Sequence, residues 1–207
     1  MVHVLITMSD IHVKRGDLRE WQDAHPDGEE RAGIARHWQV GDGALDPNDA
    51  PKALHFLEEK VPDVFTSMDR VLIVREAIRD VIEGFDPGIH QFLPLDLNGG
   101  ENREHPEPYY LMVVSNTQDT IVDALTDSET PSSDPSGTCD AMFLTSITRR
   151  VKVTVDHARL GALNLWREER YRRTLMMSDA LHDAFRHKGL EFFSSFAAED
   201  FIDAKSA

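Results

Sequence analysis

Cysteine is nearly absent: Cys139 is the one thiol in 207 residues. A single thiol excludes an intramolecular disulfide framework and any Cys-rich zinc module, and its scarcity fits a reducing compartment. Long apolar runs are missing too. No window approaches the roughly 18 apolar residues of a membrane-spanning helix. The opening Met1-Val-His-Val-Leu-Ile-Thr-Met has no basic residue ahead of its short apolar run, unlike a secretory signal. These two absences predict a cytoplasmic protein. Positive charge is also in short supply, with 22 Lys and Arg against 37 Asp and Glu, a net of −15. Such a chain repels the phosphates that supply most nucleic-acid affinity. It repels anionic membrane surfaces for the same reason, so the expected partners include neither nucleic acid nor membrane.

Recognisable catalytic motifs are the next absence. Ten histidines are present, but none stands in His-Glu-x-x-His or His-x-His spacing. His182 and His187 lie five apart and diverge on a helix. His25 sits between Asp23 and Asp27 in an expected loop, and His90 and His105 flank a proline-rich stretch without an evident partner. No Gly-x-Ser-x-Gly, phosphate loop or dinucleotide fingerprint occurs. Cys139 has no neighbouring cation to lower its thiol pKa. The carboxylate pairs Glu29-Glu30, Glu58-Glu59 and Glu168-Glu169 are adjacent in sequence, and adjacent side chains point apart. The expectation is therefore no catalytic residue, no cofactor and no metal ligand.

What is present is the composition of a globular chain, 41% hydrophobic and 29% charged, with enough length to bury a core unaided. Val2–Met8 reads as a first strand. Residues 23–30 read as a loop around Pro26-Asp27-Gly28, 34–40 as a short strand, and 41–51 as a turn-rich connection. Apolar residues at helical spacing predict a helix over 69–83, closed by Gly84, although Val71–Val74 alone also suit a strand that ends before a helix at Arg75. His90–Leu97 reads as an edge strand, because Pro94 cannot donate to a ladder. Tyr109–Ser115 is the strongest strand. The Ser/Thr/Asp/Pro-rich stretch 126–140 predicts an exposed, poorly ordered loop. Strands are expected over 141–146, 150–155 and 163–167. A capped helix is expected over 178–188, with Ser178 as N-cap and Gly189 as terminator. On that helix Leu181, Ala184 and Phe185 share an inward face with Met177, leaving His182 outward. A last extended piece covers 191–196. The fold class is thus α+β: a mostly antiparallel sheet with two main amphipathic helices, in one compact body over 1–207.

An internal repeat runs through this pattern. Val74-Arg-Glu-Ala-Ile-Arg-Asp-Val-Ile aligns with Met177-Ser-Asp-Ala-Leu-His-Asp-Ala-Phe at an offset of 103 residues. Each copy leads from an apolar run into a short helix, then a Gly, then a Phe-containing extended piece. Two similar strand–helix–strand units are expected.

Charge is unevenly spread. Asp86 to Asp140 holds eleven acidic residues and one basic residue, Arg103, whereas Arg149 to Arg173 holds eight basic and three acidic ones. The aromatic-arginine run Trp166-Arg-Glu-Glu-Arg-Tyr-Arg-Arg suggests nucleic-acid contact by composition alone. Glu168 and Glu169 interrupt it, so pairing with the acidic half of the same chain is the expected role.

Leu163-Asn-Leu-Trp-Arg, Leu175–Leu190 and Phe192-Phe-Ser-Ser-Phe together resemble the closing signature of the immunity protein 11 family, bacterial proteins encoded beside polymorphic toxins. Val74–Ile82, Phe92-Leu-Pro-Leu and Tyr109–Val114 resemble the family's middle segment and central strand. The resemblance covers roughly 60–200; residues 1–60 match loosely, and Arg75 stands where the family often has Ser. It implies a non-enzymatic cytoplasmic protein that binds and neutralises a cognate toxin, with no catalytic residues to carry over. The expected interface is the acidic stretch, through Glu101, Glu104, Glu107, Asp119, Asp123, Asp127 and Glu129, facing a toxin that is basic. Oligomeric state is not readable from the sequence. A small cytoplasmic enzyme and a secretion-system adaptor stand as the alternatives.

Overall fold

A computed structural model describes residues 1–6, 13–14, 16–56, 61–99, 103–104, 108–126 and 152–201. Strand 141–146, Cys139 and nearly all of 126–140 lie outside them. In chain order the elements are β1 (Val2–Ile6), β2 (Val13–Lys14), β3 (Gly16–Asp17), α1 (Arg19–Ala24), α2 (Gly28–Val40), β4 (Ala53–Phe56), β5 (Val64–Ser67), β6 (Leu72–Arg75), α3 (Glu76–Phe85), β7 (Gln91–Gly99), β8 (Arg103–Glu104) and β9 (Tyr109–Val113). They continue with β10 (Thr117–Gln118), β11 (Thr154–Asp156), β12 (Leu165–Glu168), β13 (Tyr171–Ser178), α4 (Asp179–His187), β14 (Ser194–Ala197) and β15 (Glu199–Phe201). No helix among the described residues is long and apolar enough to cross a membrane.

The α+β class holds, with mixed sheets. The first sheet runs β2-β5-β6-β9-β7-β4-β3, with β8 on β7, the second runs β10-β12-β13-β1-β14, and β11 and β15 form a small two-stranded sheet. Antiparallel pairs dominate, but β2/β5, β4/β7, β10/β12 and β11/β15 are parallel. β7 departs from the edge strand expected at Pro94. It uses its two sides in turn, pairing β9 over 91–95 and β4 from Asp96 onward. Pro94 therefore sits where the β4 side is still open, which is the place a residue without an N–H can occupy.

Two expectations for helices are corrected. The helix expected over 69–83 is strand β6 followed by α3 from Glu76. Val71–Val74 are all buried. Ile73 faces one core, while Leu72 and Val74 face another. Consecutive apolar residues fill both faces of a strand, whereas a helix would bury only one stripe. Further upstream, the strand expected at 34–40 is part of helix α2, and the loop expected over 23–30 narrows to residues 25–27 between α1 and α2. Asp27 is the N-cap of α2, accepting from the Glu29 and Glu30 amides at 2.7 and 3.0 Å. Two glutamates in the first turn suit the positive end of the helix dipole. Gly41, at φ 68°, closes α2 in the left-handed conformation. A Cβ there would collide with the Val114 carbonyl and the Arg167 side chain.

The strands alternate between three cores. α1 and α2, through Trp21 and Trp38, cover the face of the first sheet made by Phe65, Ile73, Leu93, Leu111 and Val113. The opposite face, with Leu72, Val74, Met112 and Val114, joins Leu5, Leu165, Leu175 and Met177 of the second sheet around α3 and α4. The far side of the second sheet packs Val2, Val4, Trp166 and Met176 on Val153 and Val155. The middle core thus draws on both sheets. Leu181 and Phe185 are buried in it as expected.

The repeat is present in the topology. In the first unit, hairpin β5–β6 leads into α3 and on to β7, and β9 lies between β6 and β7, antiparallel to both. In the second, hairpin β12–β13 leads into α4 and on to β14, and β1 lies between β13 and β14, again antiparallel to both. Across the first sheet Val74, Tyr110 and Pro94 stand in one row. Across the second, Met177, His3 and Ala197 do. Val74 to Met177 and Pro94 to Ala197 are both offsets of 103, so the helix and its return have the same length in each copy. The inserted strand follows the unit in one case and precedes it in the other.

Candidate functional site

The expected acidic face is largely out of view. Glu101, Glu107, Asp127 and Glu129 lie outside the described residues. Glu104 falls on β8 and Asp123 in a 3-10 turn over 123–125. Asp119 is fully placed, and it is paired within the chain: Arg170 Nε donates to it at 2.6 Å, and Arg159 lies at 3.7 Å. The acidic and basic halves therefore meet here, as the charge distribution implies.

Most of the buried charge holds layers together. Arg167, 2% exposed, lies inside the body and has carbonyls as partners rather than a carboxylate. Its Nε donates to Val114 O at 2.6 Å, Nη1 to Gln39 O and Arg172 O, and Nη2 to Trp38 O at 2.8 Å. Two of those carbonyls close α2, so the guanidinium satisfies the negative end of that helix. Burial, and then the charge of Arg172, draws its pKa down to about 9, which leaves it charged at neutral pH. Next to it Glu168 accepts from the Thr120 amide and, at 2.7 Å, from the Thr120 hydroxyl. Burial pushes its carboxyl up to about 7 against those hydrogen bonds.

Asp86, also buried, accepts from the Asn164 and Leu165 amides at 2.8–3.0 Å and from His90 Nε2 at 3.3 Å. It ties the end of α3 to the start of β12. His90 thus has the partner its sequence neighbourhood hides, and burial holds it below the usual histidine range despite that carboxylate.

The helix starts of the two units carry matching polar clusters. At α3, the Tyr110 hydroxyl reaches Glu76 Oε1 at 3.5 Å. Arg79 lies 3.1 Å from the same oxygen, with its guanidinium 4.5 Å from the Tyr110 ring centroid. At α4, His3 Nε2 lies 3.0 Å from Asp179 Oδ1, and His182 stacks on His3 with centroids 3.9 Å apart and planes 12° from parallel. Glu76 and Asp179, and Arg79 and His182, are each related by the 103-residue offset. His3 and Tyr110 occupy the same row position in their sheets. His182 is therefore not the outward, ordinary residue expected from the helix face alone. Burial, and then the charge of His3, lowers its pKa against the neighbouring Asp183, whose carboxylate lies 3.6 Å from a buried Nδ1 that makes no hydrogen bond among the described residues. The pairing of His3 with position 182 follows from strand order, which no local spacing reveals.

The surface hollows are shallow and polar. One is lined by Asp17, Arg19, Glu20, His55 and Asn98. Another lies between α1 and α2 beside Trp21, Arg31, Trp38 and Asp69.

This is an α+β scaffold whose described buried charges hold its layers in place, a frame for presenting a surface. Comparison with family models places it more closely. The immunity protein family Imm11 matches residues 17–205, and the chain belongs to that family. The match takes in residues 17–60, where the sequence resemblance was loose. No curated protein matches the chain.

Proposed function

We propose that this protein is the immunity partner of a bacterial polymorphic toxin, binding its cognate toxin tightly and non-covalently in the cytoplasm and acting without catalysis. Membership of the immunity family over nearly the full chain carries this reading. The acidic stretch supplies the physical means. A net charge of −10 between Asp86 and Asp140 steers a basic toxin surface inward and raises association above the roughly 10⁵–10⁶ M⁻¹s⁻¹ of neutral pairs. Glu101, Glu104, Glu107, Asp123, Asp127 and Glu129 form the proposed contact face. Asp119 belongs to the same proposed set and is already engaged by Arg170 and Arg159.

The test is co-expression with the product of the adjacent toxin gene, scored by pull-down and growth rescue. Charge reversal of Glu101, Glu104 and Glu107 together lowers the association rate and flattens its salt dependence. The unaltered protein loses rate as ionic strength rises. A triple reversal that still rescues growth, with a salt-independent rate, moves the interface to the helices or to the basic 149–173 strip.

A further inference from the structure

We propose that His3, Asp179 and His182 form a binding site for a late first-row divalent cation, Zn²⁺ foremost, at the junction of β1 and α4, with at least one coordination position left open.

The donor set is right for that chemistry. Two imidazoles and one carboxylate are borderline ligands that favour Zn²⁺, Ni²⁺ and Cu²⁺ over the oxygen-seeking Mg²⁺ and Ca²⁺. One donor atom from each residue lies within 4.8 Å of the others. Tetrahedral Zn²⁺ with ligands at about 2.0–2.2 Å needs donor separations of roughly 3.3 Å, and the His3–Asp179 pair is already at 3.0 Å. Only His182 has to turn inward. Its side chain is 24% exposed and Asp179's is 51% exposed, so both have room to move. His3, at 10% exposure, is the fixed ligand, held in the middle of its sheet between β13 and β14.

Two further observations point to a ligand. The first is the buried Nδ1 of His182, which makes no hydrogen bond among the described residues and meets only the Asp183 carboxylate, at 3.6 Å. The second is the comparison within the chain. At the matching place in the first unit, Arg79 brings its own positive charge to Glu76 and covers the Tyr110 ring. That cluster is complete as it stands. In the second unit an imidazole replaces the guanidinium and another replaces the phenol, which turns a self-contained ion pair into a set of metal donors. Three protein ligands leave room for water or for a side chain from a partner.

The experiment uses the full chain without a polyhistidine tag, stripped by chelator and titrated with Zn²⁺, and with Co²⁺ as a spectroscopic stand-in. One equivalent of Zn²⁺ per chain is expected, with a rise in thermal midpoint that Mg²⁺ does not produce, and a Co²⁺ visible band of four- or five-coordinate intensity. His182→Gln and Asp179→Asn lose the band and the midpoint rise, while His187→Gln, on the exposed end of the same helix, keeps both. In the unaltered protein, substoichiometric Ni²⁺ broadens the His3 and His182 imidazole resonances before any others, a readout that needs no variant to fold. No saturable uptake, uptake that survives His182→Gln, or broadening that begins at other histidines each overturns the site.

Discussion

The two strand–helix–strand units share a backbone plan but bury different chemistry. Strands β5, β6 and β9 of the first unit bury no charge, its buried Asp86 and His90 lie past the end of α3, and its polar cluster at Tyr110, Glu76 and Arg79 stays at the margin. The second unit takes Arg167 and Glu168 inside. Position 66 in the first hairpin, a buried Thr, occupies the row that Arg167 occupies in the second, since Thr66 pairs with Leu72 and Arg167 with Leu175. The lesson is that the shared feature is the apolar face each helix turns to the middle core. The polar groups differ because each sheet has a different neighbour: α2 ends against β13 and needs a donor for its last carbonyls, and nothing in the first unit makes that demand.

The largest test of this contrast is Arg167→Ala. It strands four carbonyls in the interior and removes the closing charge of α2, so a loss of about 3–5 kcal/mol is expected in urea unfolding. Thr66→Ala, at the equivalent row, is expected to cost about 1 kcal/mol. Equal losses would break the claim that only the second hairpin carries a buried charge of structural weight.

Next come the two helices. Phe185→Ala is expected to cost about 3–5 kcal/mol and Ile82→Ala about 2–5 kcal/mol, because both side chains fill the same middle core. A near-silent result at either position would show that one unit does not depend on the shared core.

The pH dependence of stability is the third test. Glu168 titrates near 7 when folded, above its usual value of 4.5. The unfolded chain therefore releases this proton first. The stability Glu168 contributes is fully present below about pH 4.5 and is lost as pH rises to about 7. Glu168→Gln, measured by urea midpoint between pH 5 and 7.5, flattens that decline by about 2–3 kcal/mol. An unchanged slope refutes the assignment. The first unit buries Asp86 and His90, but burial lowers the His90 pKa, so its contribution is lost as pH falls and does not produce this decline.

The smallest effects come from the paired clusters. Arg79→Ala and His182→Ala are each expected to cost under about 1 kcal/mol, as partly exposed contacts do. They differ in salt response. The Glu76–Arg79 ion pair is screened, so the Arg79→Ala loss shrinks in high salt. His182 is neutral at pH 7.5, so its stacking on His3 is expected to keep its worth. Identical salt responses would erase the distinction between the clusters.

How much of this was legible in the sequence depended on whether the signal was local. α4 could be read to its ends, because Ser178 caps it through the Leu181 amide and Gly189 takes φ 64° beyond it. α2 could not, because its described apolar contacts reduce to Trp38, Val40 and the partly buried Ile34 and Ala35. Read without the Asp27 cap, that short run looks like a strand. β6 was ambiguous for the opposite reason, with too many apolar residues to choose a face. The repeat offset was visible at 74–82 and 177–185, and carrying it across would have paired Arg79 with His182. His3 would still have been missed, since its place beside Asp179 comes from the order of strands in a sheet. Asp86, Arg167 and Glu168 were not legible as structural charges, because most of their partners are backbone groups far along the chain, joined by the Asn164 and Thr120 side chains.

The position of β1 bears on how the molecule is made. His3 meets Asp179 across 176 positions of sequence, and the strands on either side of β1 leave the ribosome long after it does. The first unit has all four of its central strands by Val113 and can close early, with short loops and a modest entropy of closure. The second sheet has β1 early and must wait for both of its neighbours. Until β13 and β14 emerge, Val2, Val4 and Leu5 have no sheet to enter. During synthesis β1 thus stays an uncovered apolar segment beside a half-formed body, and the arrival of β13 and β14 determines when it is put away.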